Sequence, residues 1–210
     1  MATFNRLLPI ALATLGLTAL LLAPGPVEAA DAGDTFKAKH QAVIALVDQG
    51  AGDAKLGQAI DGMLDYAWLA EASLGGPDHY AKICASRCAE FEALLTTLIR
   101  ENYIRMVRKA NQHPVEFVGE IAGKGGVHKV TTKMKVDKNG RERNMTVEYV
   151  MHYADGTWQV RDVITDEVSL AKTYRHEFNK LAKVDGIDGI IARLEDKLRE
   201  LDADGEGFGS

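Results

Sequence analysis

Lys129-Val-Thr-Thr-Lys-Met-Lys-Val136, Asp137-Lys-Asn-Gly140 and Met145-Thr-Val-Glu-Tyr-Val-Met-His-Tyr153 decide the fold. Val130, Thr132, Met134 and Val136 alternate with Lys129, Thr131, Lys133 and Lys135, the period of two expected of a strand with one face in a core and one in water. Asp137 to Gly140 reads as a turn, and Met145, Val147, Tyr149, Met151 and Tyr153 alternate again on the returning strand. Asp155-Gly156 is a hairpin signal leading to Trp158, Val160 and Ile164, and Gly123-Lys-Gly-Gly126 marks an earlier hairpin. The expectation is an antiparallel meander of four strands between Val115 and Thr165, greasy on one side and wet on the other.

On either side the period becomes helical. Phe36, Val43, Ile44 and Val47 make a stripe over 34–48, and Ile60, Met63, Leu64, Ala67 and Trp68 make a second. Gly75-Gly76-Pro77-Asp78 stops that helix. From Ser86 to about Ala110 a third carries Phe91, Leu94, Leu95 and Leu98, with Ile99, Tyr103 and Met106 beside them, and Pro114 ends it. After the sheet, Leu170, Ala171, Tyr174, Phe178 and Leu181 form one stripe, and Ile187, Ile190, Ile191, Leu194, Leu198 and Leu201 form another. Three helices, four strands and two helices predict an α+β layer protein in which helices cover one side of a curved sheet.

The start of the chain is of another kind. Arg6, an apolar run from Leu7 to Ala23, and Pro24-Gly-Pro-Val27-Glu-Ala29-Ala30 have the layout of a secretory signal peptide, with Val27 and Ala29 as the small residues before cleavage. Residues 1–29 are read as that signal, 30–201 as a single domain and 202–210 as a flexible acidic tail. The export signal predicts a periplasmic protein, and a formal net charge of −5 argues against a nucleic-acid partner. Cys84 and Cys88 would meet an oxidising compartment. Regular helix between them would strain a bridge, whereas a loop at Cys84 would ease it, so a local disulfide and two free thiols both remain open.

Catalytic chemistry finds little support. G-x-S-x-G and H-E-x-x-H are absent, the six His have no ligand spacing, and Gly119 to Lys124 lacks the spacing and the Ser or Thr of a phosphate loop. Asp202-Ala-Asp204-Gly-Glu206-Gly207 copies the first half of a calcium loop, but the chain ends before the bidentate Glu of position twelve. Asp162 and Tyr149 read either as an acid and a donor inside a pocket, as an isomerase would use them, or as a strand-end residue and a core residue. Without a spacing signature the second reading is favoured, and the chain is read as a binding protein with no metal and no cofactor. The remaining chemistry is apolar, with Met134, Met145 and Met151 on strands and Met63 and Met106 on helices as adaptable fillers of a core or liners of a pocket.

Asp137-x-Asn139-Gly140, Trp158, Asp162, Ile164, Val168-Ser169-Leu170 and Gly186-Ile187-Asp188-Gly189 resemble, in residues and spacing, the MlaC or toluene-tolerance family of periplasmic phospholipid carriers. Upstream, Leu64-Asp65-Tyr66, Leu74-Gly75 and a helix beginning near Ser86 are similar in layout. Two positions depart from the pattern: Glu167 stands where the family usually has Gly, and Arg161 where an aromatic is common. The resemblance implies an NTF2-like cone closed by helices, with acyl chains of a phospholipid between them. It also implies two partners, an inner-membrane ABC transporter with an MCE component and an outer-membrane lipoprotein complex. On face direction the expected lipid-binding residues are Met134, Met145, Val147, Tyr149 and Met151 from the sheet, Leu64, Trp68, Leu94 and Leu98 from the N-terminal helices, and Tyr174 and Phe178 from the C-terminal pair. An isomerase-type enzyme on a similar cone and a solid-core scaffold are the rival readings.

Overall fold

The structure is a computed structural model that describes residues 31–110, 115–137 and 142–206. The segment read as a signal peptide, the turn at Lys138 to Gly140 and the last four residues lie outside them. Helices α1 (Ala32–Asp48), α2 (Asp53–Asp61), α3 (Tyr66–Ser73), α4 (Pro77–Cys84) and α5 (Cys88–Ala110) precede the sheet. Strands β1 (Val115–Ala122), β2 (Val127–Asp137), β3 (Glu142–Ala154), β4 (Thr157–Thr165) and β5 (Val168–Ser169) follow, and α6 (Leu170–Glu206) closes the chain. The fold is α+β, with strands in the order β1-β2-β3-β4-β5, each antiparallel to its neighbour.

The sheet has five strands and not the expected four. The fifth is a two-residue return, with Thr165 opposite Val168 and Ile164 opposite Ser169, made by a turn in which Asp166 (φ 46°) and Glu167 (φ 70°) are both left-handed. Such turns match the twist of antiparallel strands but want Gly, Asn or Asp. The left-handed φ at Glu167 is one that glycine adopts without strain, in keeping with the glycine that the family resemblance puts there. Two residues are too few for periodicity to register, which hid β5.

A second departure is a bulge. Val150 faces Asp162 and Met151 faces Val160, so Arg161 is the extra residue on β4. Strict alternation from Val160 would put Asp162 and Ile164 on the inner face. Instead Val163 pairs with the inward Tyr149 and Thr165 with the inward Val147, while Ile164 pairs with Glu148 and faces outward.

Among the described residues the helices before the sheet are five, not three. The stripe from Ile60 to Trp68 is interrupted because Gly62 ends α2 and Asp65 caps α3, accepting from Trp68 N at 3.1 Å. The intervening residues run extended along the free edge of β4: Asp65 N donates to Val160 O at 2.9 Å and Val160 N to Met63 O at 2.8 Å. Farther on, Pro77 opens α4, and a 3₁₀ turn at Ala85–Arg87 separates it from α5. That turn brings the Cα atoms of Cys84 and Cys88 to 4.8 Å, and the two are joined as a disulfide.

Helices cover the inner face of the sheet. Phe36 of α1 packs on Tyr149 at 4.2 Å between ring centroids, and Phe91 of α5 meets Phe178 of α6 edge-on at 5.7 Å. Val130, Thr132, Val147, Tyr149, Met151 and Val160 from the strands are buried against Leu95, Leu98, Ile190 and Leu194 from the helices. The two expected C-terminal helices are the halves of α6, kinked at Gly186 (φ 63°, ψ −149°). The second half continues past Leu201 to Glu206, and the remaining residues of the segment read as a tail lie outside the described residues.

The backbone of Gly186 lies in a region open essentially to glycine alone. Gly186→Ala is expected to lower stability by about 1–3 kcal/mol, and Glu167→Gly to raise it by about 1 kcal/mol, both read from urea unfolding midpoints at unchanged slope.

Candidate functional site

β4 has β3 on one side and an incomplete partner on the other. Met63 to Asp65 satisfy its edge at Val160, and β5 satisfies it at Ile164 and Thr165. Between these patches Asp162 supplies the missing acceptors. Its Oδ1 accepts from Val163 N at 2.9 Å and Ala171 N at 3.0 Å, and its Oδ2 from Ser169 Oγ at 2.6 Å. Ser169 Oγ in turn accepts from Lys172 N at 3.1 Å, so the pair caps the start of α6. Asp162 is only 8 % exposed.

This network bears on the catalytic reading. Asp162 stands opposite Val150, and Tyr149 opposite Val163, which puts the two side chains on opposite faces of the sheet. With its oxygens engaged at a helix start, Asp162 is positioned as a cap and not as a proton carrier beside Tyr149. Burial raises the Tyr149 phenol to about 12, so it stays neutral across the physiological range.

An apolar pocket of about 330 Å³ opens beside this edge. Leu64 and Leu69 form one wall, Ile99, Tyr103 and Met106 of α5 a second, and Val163, Thr165 and Val168 of the sheet a third. Leu170, Thr173 and Tyr174 of α6 close it, and Asn102 stands at its side. The mouth is apolar too: Met106 is 37 % and Val168 61 % exposed. The Tyr174 phenol is raised to about 12, chiefly by burial and further by Glu177, so both it and the buried Tyr103 are uncharged donors. The wall offers no ionised group, which suits a hydrocarbon cargo.

Of the residues expected to line a lipid site, Leu64 and Tyr174 are at this pocket. Leu98, Val147, Tyr149, Met151 and Phe178 are in the buried core, and Leu94, Met134 and Met145 are half-buried. Trp68 lies on a separate, more polar cleft of about 320 Å³ across the β5–α6 junction, with Glu71, Gly75, Lys172 and Arg175. There its ring faces the Arg161 guanidinium at 5.7 Å, and Arg161 also pairs with Asp65 at 3.0 Å. The pocket residues that face direction missed are instructive. Ile99, Tyr103 and Met106 form the second stripe on α5, a visible signal assigned to no site. Val163 was hidden by the bulge, because alternation placed its neighbours inward. Among the described residues no cluster of three or more His, Cys, Asp or Glu could hold a metal, and no helix is long and apolar enough to cross a membrane.

Comparison with protein families matches residues 38–196 to the MlaC protein family. The chain belongs to that family. No curated protein matches it at a significant level. Among solved structures, a phospholipid-binding protein from Ralstonia solanacearum in complex with a phospholipid is similar, with a TM-score of 0.62 and 19 % identity. The alignment covers 82 % of this chain and 99 % of that one. The likeness shows that the arrangement of helices around this sheet is shared with the Ralstonia protein, and the MlaC match places residues of the pocket and of the Asp162 cap within the family segment.

Asp162→Ala removes three hydrogen bonds to a buried acceptor. A loss of at least about 2 kcal/mol in unfolding free energy is expected, measured by chemical denaturation; a change under about 0.5 kcal/mol is what an exposed, uninvolved residue gives.

Proposed function

We propose that this protein is a non-enzymatic carrier of phospholipid, holding acyl chain in the pocket between α5, the start of α6 and the edge of β4. The observation that carries the reading is the pocket itself, apolar from wall to mouth in a chain of the MlaC family. The phospholipid complex of the Ralstonia protein, similar in fold, supports it.

The energetics give a carrier its purpose. Each methylene moved out of water is worth about 0.8 kcal/mol, so two acyl chains left exposed cost on the order of 20 kcal/mol. A lipid crossing an aqueous compartment needs an apolar refuge. Because a bilayer offers the same refuge, pocket and membrane must be close to balance, and docking events decide loading and release. We place the carrier in the periplasm after removal of residues 1–29, running between an inner-membrane MCE-type ABC transporter and an outer-membrane lipoprotein complex, and so serving outer-membrane lipid asymmetry. The curled sheet is read in the same proposal as an NTF2-like cone. No cofactor is required, since the cargo itself is the ligand.

Mass spectrometry of an organic extract from the gently purified protein is expected to find phospholipid at a stoichiometric level, and a clean extract overturns the reading. Leu170→Trp, a larger side chain at the α6 wall of the pocket, is expected to reduce the extracted lipid several-fold while the thermal midpoint stays near that of the parent.

A further inference from the structure

Tyr103 is the buried polar residue in the wall of the apolar pocket that the carrier reading leaves unexplained. It is 7 % exposed, and among the described residues its hydroxyl has no hydrogen-bond partner. A buried hydroxyl in that state is costly, and native proteins satisfy most such groups. Its polar neighbours do not relieve it. Tyr66 donates to Asp61 at 2.9 Å, and Thr132, which bonds to the Tyr149 phenol, donates to Val147 O at 3.2 Å. Around the pocket, Asn102 donates to Leu98 O at 2.9 Å and Thr173 to Ser169 O at 2.8 Å, so their donors are already spent on backbone carbonyls.

Depth adds a second constraint. Met106, at the mouth, is 37 % exposed and Tyr103, three residues earlier on α5, only 7 %, so Tyr103 lies deeper in the wall than the rim residue. A lipid whose head group stays in water and whose chains fill the pocket carries its ester linkages at that depth. The pocket volume of about 330 Å³ is near the lower end of ligand sites, so a two-chain lipid has to push the wall outward. Of the wall side chains, Tyr103 gains most from moving, because it exchanges an unmet donor for a met one.

Resting on the carrier reading, we propose that Tyr103 recognises the ester linkage of the cargo. Its phenolic O–H donates to an acyl ester carbonyl oxygen, so the pocket selects diacyl lipids over dialkyl ether lipids of the same chains and head group. An ether oxygen is a poorer acceptor and lacks the projecting carbonyl, and the Tyr103 hydroxyl then stays unpaired.

The test is competitive loading of the mature protein from vesicles containing equal amounts of diacyl phosphatidylglycerol and its dialkyl ether analogue, with the retained lipids quantified by mass spectrometry. The wild-type protein is expected to favour the diester about two- to tenfold, the worth of one net hydrogen bond. Tyr103→Phe keeps the ring and the wall, is expected to melt at or above the wild-type temperature, and loads both lipids equally. A wild-type protein that takes both lipids without preference overturns the role of Tyr103, as does a Phe variant that keeps the preference. Retention of neither lipid by the wild-type protein overturns the carrier reading itself.

Discussion

The unpaired edge of β4 is the constraint on which the rest of this structure depends. A strand edge presents backbone donors and acceptors that cannot be buried unmet. Here three different devices meet them in succession along nine residues: an extended link from between two helices, the Asp162 carboxylate that accepts from Val163 N, and a two-residue strand. Each device also places a wall of the pocket. The link positions Leu64, the carboxylate fixes the start of α6 with Leu170 and Tyr174, and the short strand presents Val168. A fully paired edge would leave less room for a pocket at this position.

The bulge at Arg161 makes this arrangement compatible with an apolar interior. It turns Asp162 away from the inner face and brings Val163 opposite Tyr149. The polar residue becomes a helix cap and the apolar one becomes pocket wall. Arg161 itself, freed from the ladder, pairs with Asp65, the residue that caps α3, so bulge, link and helix start are tied together. That gives the arginine at 161 a physical role: the guanidinium both reaches a carboxylate and faces the ring of Trp68.

The same geometry separates Asp162 from Tyr149. A carboxylate and a phenol within one hollow invite an acid–base reading, and alternation puts Asp162 and Tyr149 there. One extra residue in β4 sends them to opposite faces. The pocket wall is neutral and largely hydrocarbon, and the hydroxyl of its Tyr103 is buried without a partner among the described residues. Such a lining suits an apolar occupant.

The alternation of Val130 to Val136 and Met145 to Tyr153 by itself determined the antiparallel pairing and the side that meets the core, because a period of two has one solution when one face is dry; how far the dry side is covered was not legible, and Tyr153 at its end is exposed. Helical stripes likewise determined that α5 and both halves of α6 pack inward, and the residues around Val168 to Gly189 marked the family. Only the tertiary structure decided the division at Gly62 to Asp65, the fifth strand and the location of the pocket. Each of these arises from hydrogen bonds between residues far apart in the chain, Asp65 with Val160 and Asp162 with Ala171 among them. A bulge shifts face direction without altering composition, so local pattern placed the lining on the middle of the sheet, where Val147, Tyr149 and Met151 are buried in the core. The pocket lies at the edge, where long-range pairing runs out.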